Sequence, residues 1–281
     1  MHFKRDRCLQ KLIAKMHNGL IKIITGMRGS GKSYLLKEFR AYLQGSGVPD
    51  SRIIAMEFDR PENRRYRDPE VFMAFLHERI RDHENYYVLL DEVQFLGSFE
   101  EALSSLLYED NIDTYVTGSD SRFLSTDVRT EFRGRGEEIR VFPLSFAEFM
   151  SACDGETWQG WQEYLRYGGL PFAAALQTDE EKSGYLRGLF QETCLKDITE
   201  RRRLRKDQEL EDLPQVLASS IGSLTNPSKI TSALESKCGS RIALNTVKSY
   251  IDCLKEAFLI SEARRCDVNV KGRKAIGSAV K

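Results

Sequence analysis

Short apolar runs alternate with amphipathic stretches through the first half of the chain, a pattern that predicts strands and helices in turn. Strands are predicted at 21–25, 53–58, 86–90, 114–117 and 138–142, and helices at 34–43, 69–80 and 99–108. The run Tyr86-Tyr87-Val88-Leu89-Leu90 is almost continuously apolar, as a central parallel strand covered on both faces requires. After Pro143 the pattern changes to successive helices as far as about residue 224, with Gly168-Gly169-Leu170-Pro171 as the clearest break. Beyond residue 227 a short helix, a Gly239-Ser240 turn and a longer helix at 245–258 follow. In the longer helix Val247, Tyr250, Ile251, Leu254 and Phe258 share one face. Segments 259–263 and 275–280 are expected to pair across a basic turn holding Lys271, Arg273 and Lys274, and helices followed by such a hairpin suggest a winged helix. The expected organisation is α/β: a parallel sheet flanked by helices over 1–150, a helical region over 151–225, and a winged-helix domain over 226–281 whose wing is incomplete.

One turn of this pattern carries chemistry. Gly26-Met27-Arg28-Gly29-Ser30-Gly31-Lys32-Ser33 fits GxxxxGK[ST] and lies between a strand ending at Thr25 and a helix beginning near Gly31. Glycines let the backbone curl so that successive N–H groups face phosphate oxygens, and the following helix presents its positive end. Lys32 is expected to reach the β- and γ-phosphates, and the Ser33 hydroxyl to ligate magnesium. Residues 26–33 with Tyr34 are therefore the expected nucleotide-binding residues, which predicts a P-loop nucleoside triphosphatase sheet. A chance match in a Gly-rich turn would not have strand and helix in register on either side.

A second signal turns binding towards hydrolysis. The strand 86–90 ends in Asp91-Glu92, and a buried strand has no use for charge at its end unless a cation or a water meets it. Asp91 fits a magnesium-holding carboxylate, and Glu92 a base that polarises the attacking water. Thr114-Tyr115-Val116-Thr117-Gly118-Ser119 is the next strand, expected between the other two, so that Thr117 or Ser119 would sense the γ-phosphate; Ser119 is preferred. Arg133-Gly134-Arg135-Gly136 supplies the preferred arginine, Arg135, with glycines on both sides to allow close approach, while Arg28 is a weaker candidate. The residues leave open whether Arg135 serves its own nucleotide or a neighbour's.

Composition changes this picture little. Of the residues, 41% are hydrophobic and 30% charged, and 42 basic side chains balance 42 acidic ones, so no global field draws the chain onto nucleic acid or an anionic membrane. The charge run at 200–207 reads as a solvated helix face. The six cysteines form no CxxC pair and no zinc spacing, no apolar run is long enough to span a bilayer, and no secretory leader is visible, which together suggest a cytoplasmic protein.

With these residues in hand the chain resembles the bacterial and archaeal predicted ATPases of the AAA+ superfamily whose C-terminal region is a domain of unknown function. The likeness runs through 20–33, Asp91-Glu92-Val93-Gln94, Thr117-Gly118-Ser119 with Ser121 and Leu124, Gly134-Arg135 with 142–149, Tyr167–Pro171, and 246–260. It implies ATP, read over GTP, with Mg2+ as the ligands. It also implies a further region resembling restriction-endonuclease-like folds beyond Lys281, so that the sequence reads as truncated. Two functions stand against each other: a nucleotide-driven conformational switch that hydrolyses ATP, or an ATP-regulated DNA-binding winged-helix protein with little turnover. For DNA the helix 245–257 offers Asn245, Lys248, Ser249 and Lys255 and the hairpin offers Arg264, Arg265, Lys271, Arg273 and Lys274, with Asp252 and Glu256 working against it. A homo-oligomer is a further candidate state. A small-molecule kinase is disfavoured by Glu92 and by the lack of a visible acceptor site.

Overall fold

The computed structural model describes residues 3–118, 134–153, 155–192, 208–239, 241–264 and 278–280. The chain divides into two compact units, 1–183 and 184–281. The first is built on five parallel strands: β1 (Ile21–Thr25), β2 (Ile53–Glu57), β3 (Tyr86–Asp91), β4 (Ile112–Thr117) and β5 (Gly136–Arg140), in the order β2-β3-β4-β1-β5. β4 thus lies between β3 and β1, as expected from the sequence.

All six residues of β3 are buried, and their alternation feeds two cores. Val88 and Leu90 pack with Phe58, Phe72, Leu76 and Leu103 on the side of α3 (Pro69–Arg79) and α4 (Phe99–Leu106). Tyr87 and Leu89 pack with Leu12, Leu35, Phe39 and Tyr115 on the side of α1 (Asp6–Ile13) and α2 (Lys32–Gly45). A strand with both faces covered has no polar side, which is why its sequence reads as one apolar run. Helix α1 escaped the sequence reading: it has only eight residues, but Leu12, fully buried, fixes it on α2.

After β5 come helices Phe146–Met150, Thr157–Tyr167, Pro171–Ala175 and Asp179–Phe190. Ser145 and Glu148 close a capping box on the first. The second ends at Gly168, whose φ of +73° stops the helix. At Gly169 a Cβ would lie 2.1 Å from the Leu144 carbonyl oxygen, so only glycine lets the chain pass there.

In the second unit, helices Gln208–Ser219, Pro227–Cys238 and Leu244–Glu256 enclose a core that includes Leu213, Leu217, Ile230 and Leu234 with Val247, Tyr250, Ile251 and Leu254. The last four are four of the five residues predicted to share a face; the fifth, Phe258, lies past the end of the helix at a φ of +58°. The expected C-terminal pairing is antiparallel, between β7 (Glu262–Arg264) and β8 (Ser278–Val280), and a two-residue strand β6 (Leu224–Thr225) joins β8 on its other edge. Ser119, the charge run 200–207 and the basic turn with Lys271, Arg273 and Lys274 lie outside the described residues. No helix among the described residues is long and apolar enough to cross a membrane.

Candidate nucleotide site

The loop between β1 and α2 holds Gly26, Gly29 and Gly31 at φ of +151°, +79° and +96°. These angles suit glycine and curl the chain tightly. A Cβ on Gly26 would sit 2.2 Å from the Val141 carbonyl oxygen, so the loop is pressed against the end of β5. Gly31 is the N-cap of α2, and a Cβ added to it would meet Pro171 at an ordinary contact distance of 3.6 Å. The loop therefore has the shape of an anion cradle at a helix N-terminus.

Lys32 is buried, and its Nζ donates to the carbonyls of Gly26 and Met27 at 3.0 and 3.1 Å. Burial pushes its ammonium below the usual lysine range, the Glu92 and Asp91 carboxylates pull it back, and Arg28 presses it down again. Arg28 and Gly29 are exposed at the loop's tip, as is Tyr34 on α2.

Opposite the loop, β3 ends in the buried Asp91. Thr117 Oγ1 donates to its carboxylate, and the Ser33 hydroxyl also bonds it. Burial nevertheless raises the Asp91 carboxyl above its ordinary range; the Thr117 and Ser33 hydrogen bonds oppose the rise, and Glu92 and Asp59 add to it. The same Thr117 hydroxyl accepts the Glu92 backbone N–H at 3.0 Å. Thr117, one of the two hydroxyls expected as a sensor, thus lies on the acids; Ser119, the preferred one, is outside the described residues.

Glu92 adopts φ +54° and ψ +50°, a left-handed conformation uncommon for a side-chain-bearing residue. Gln94 Nε2 donates to its carboxylate at 2.5 Å. Strain of this kind collects at functional positions.

Two acids escaped the sequence reading. Parallel pairing puts Glu57 of β2 in register with Asp91, and carboxylate oxygens of Glu57, Asp59 and Asp91 come within 4.8 Å of one another. Glu57 is held by Arg60 at 2.7 Å and Lys37 at 3.3 Å. Burial raises its carboxyl, but these partners outweigh that and leave it below the usual range. A cavity of about 250 Å³ opens here, lined by Ser33, Lys37, Glu57, Arg60 and Asp91 among others. No local motif marks Glu57; only the strand register does.

Arg135 is placed elsewhere. Its carbonyl accepts the Ile21 N–H at 3.0 Å, at the amino end of β1, whereas the glycine loop follows the carboxyl end. A five-residue strand separates them, roughly 15 Å at the usual rise. The glycines beside Arg135 suggested an approach to phosphate, but β5 runs parallel to β1 and Arg135 precedes it, so the structure does not bring it to this loop.

A parallel sheet in this order, with a glycine loop after β1 and an acid pair after β3, defines the P-loop fold of the AAA+ class. Residues 18–150 match the family model described as an AAA domain, and residues 159–281 match a domain of unknown function (DUF8612). An uncharacterised protein of Haemophilus influenzae is 34% identical over 277 residues, covering 95% of this chain and 68% of that protein. An uncharacterised Methanocaldococcus jannaschii protein is 23% identical over 257 residues, covering 85% of this chain and 55% of its own length. The chain belongs to the family of the Haemophilus protein, and its fold and family-model match are those of a P-loop AAA+ ATPase. Among solved structures, the Aeropyrum pernix ORC2 protein in ADPNP–ADP complexes aligns with a TM-score of 0.46 at 12% identity, over 92% of this chain and 86% of that one. That likeness is too loose for anything ORC2 binds to be carried over to this chain.

Proposed function

We propose that the chain binds ATP with magnesium at the glycine loop and hydrolyses it, and that the nucleotide state drives a conformational switch. The observation that carries this reading is the meeting of Lys32, Ser33, Asp91, Thr117 and Glu92 at the carboxyl ends of β1, β3 and β4. The residues fit the ligands: Gly26 leaves open a curve that a Cβ would close, and Ser33 with Asp91 offers the hard oxygen donors magnesium prefers. When bound, magnesium would neutralise charge on the β- and γ-phosphate oxygens.

The chain's own groups do the rest. Loop N–H groups and Lys32 hold the phosphates, with Gly26, Met27, Arg28, Gly29, Ser30, Gly31 and Tyr34 around them. Ser33 and Asp91 hold the metal. Glu92, in a left-handed backbone conformation and braced by Gln94, takes the proton of the attacking water. Thr117 ties Asp91 to the Glu92 main chain, and Ser119 remains the proposed γ-phosphate sensor. Arg135, at the amino end of the sheet, is proposed to serve a neighbouring subunit's nucleotide in a homo-oligomer.

The second unit supports a winged-helix reading through its order of helix, strand, helix, helix, strand, strand. Its DNA candidates are thinned, since Lys255 pairs with Glu262 at 2.6 Å and lies 3.7 Å from Asp252. The switch reading is therefore preferred over a DNA-binding module.

Magnesium-dependent phosphate release from ATP tests the chemistry. Glu92→Gln is expected to lower turnover about a hundredfold or more while keeping ATP affinity, since a general base contributes that much. Turnover unchanged in this variant would remove Glu92 from the mechanism.

A further inference from the structure

We propose that Arg5, which lies outside every motif of the nucleotide site, is a positioning residue that sets the direction of the Gly31 amide in the glycine loop. The proposal rests on the ATP-site reading above. Arg5 is 3% exposed. Its Nη2 donates to the Ser30 carbonyl at 3.0 Å and to the Phe142 carbonyl at 2.5 Å, and its Nη1 lies 3.5 Å from Glu148 Oε2.

The Ser30 contact acts through peptide geometry. In a trans peptide the carbonyl and the N–H of one unit point in opposite directions. The described residues hold no cis bond. With the Ser30 carbonyl turned onto Arg5, the Gly31 N–H of the same unit faces away from Arg5. A guanidinium behind the loop thereby aims an amide for an anion in front of it. The Ser30 side chain does not do this work, because its hydroxyl is buried without a hydrogen-bond partner.

The Arg5 backbone is fixed at the start of α1, while its Nε is buried without a hydrogen-bond partner. Its carbonyl accepts the N–H groups of Cys8 and Leu9, both at 2.9 Å, at the start of α1. Leu12 anchors that helix against Leu35 and Phe39 of α2, and Phe3 packs with Leu144, Phe149 and Ala174. Glu148, beside Nη1 of the guanidinium, accepts from the Ser145 N–H and Oγ at 2.8 and 2.9 Å. The planar fork of arginine reaches two carbonyls and a carboxylate at once, and an ammonium on a flexible stem lacks that geometry.

The test measures ATP–magnesium affinity of the whole chain beside Arg5→Ala and Arg5→Lys, with folding checked by near-UV circular dichroism. Arg5→Ala is expected to bind about tenfold or more weakly, the size of one lost charge-assisted contact. Arg5→Lys should recover only part of this. Added methylguanidine should restore affinity to Arg5→Ala, and methylammonium should not. A folded Arg5→Ala that binds like the parent overturns the proposal, as do the two additives acting alike. Should Arg5→Ala not fold, Arg5→Lys binding within about twofold of the parent overturns it instead. Failure of the ATP-site reading would show separately, as a parent that binds no ATP.

Discussion

Both ends of the five-stranded sheet carry buried charge, and they treat it in opposite ways. At the amino ends Lys22 of β1, fully buried, pairs with Asp113 of β4. Asp113 also accepts the Tyr115 hydroxyl at 2.8 Å and the His17 N–H at 3.1 Å, while His17 Nε2 meets the Tyr87 hydroxyl at 2.9 Å. There the charge is answered within the protein. At the carboxyl ends Asp91 keeps a carboxyl raised by burial, Glu92 holds a left-handed backbone, and Lys32 leans on carbonyls of its own loop. Lys22, whose ammonium burial lowers and Asp113 pulls back up, is met by an opposite charge, whereas the Asp91 carboxyl, raised by burial, is met by the Thr117 and Ser33 hydroxyls.

The contrast makes predictions that can break it. The largest effect on stability belongs to the amino end: Asp113→Ala leaves Lys22 buried without its charge partner and should cost about 3–5 kcal/mol in denaturant unfolding. The double variant Lys22→Met with Asp113→Leu should be far milder; equal losses would mean that the pair is not what holds this end. Next, Gly26→Ala should cost about 1–3 kcal/mol from backbone strain alone. It should also weaken ATP, because the new Cβ meets the Val141 carbonyl and forces the loop off β5.

The smallest effect has the opposite sign. Asp91 has a carboxyl pKa raised on folding, so the folded chain holds its proton more tightly than the unfolded one. The stability tied to that proton is present below the unfolded pKa and is lost as pH rises through the raised folded value. At neutral pH Asp91 therefore opposes folding of the ligand-free chain, and Asp91→Asn should melt slightly higher in neutral buffer while losing the magnesium dependence of ATP binding. The gap in melting temperature should close as the pH is lowered towards the ordinary carboxylate range. A variant that melts lower than the parent at neutral pH would contradict this assignment.

Much of the carboxyl end was legible in the sequence, because its chemistry sits in contiguous motifs. Residues 26–33 and 91–92 are each local, and each follows an apolar strand whose ends are visible. The position of β4 between β3 and β1 followed from the same logic. What was not legible depends on register and distance. Glu57 reaches Asp91 only because β2 and β3 run parallel in register. Arg5 reaches partners 25, 137 and 143 residues away, with no spacing rule to reveal them. Lys22 and Asp113 look like polar positions in half-buried strands until the sheet is assembled. Arg135 was chosen for its flanking glycines, a local criterion, and strand direction puts it at the amino end of the sheet.

The central claim is that the carboxyl end of the sheet is a magnesium–ATP site. Calorimetric titration of ATP into the whole chain, with and without magnesium and beside Lys32→Ala, tests it most directly. Magnesium-dependent binding in the parent that weakens about tenfold or more in Lys32→Ala is the predicted result, the size expected for one charged phosphate contact. Absence of binding in the parent, or equal binding by parent and variant, would contradict the account.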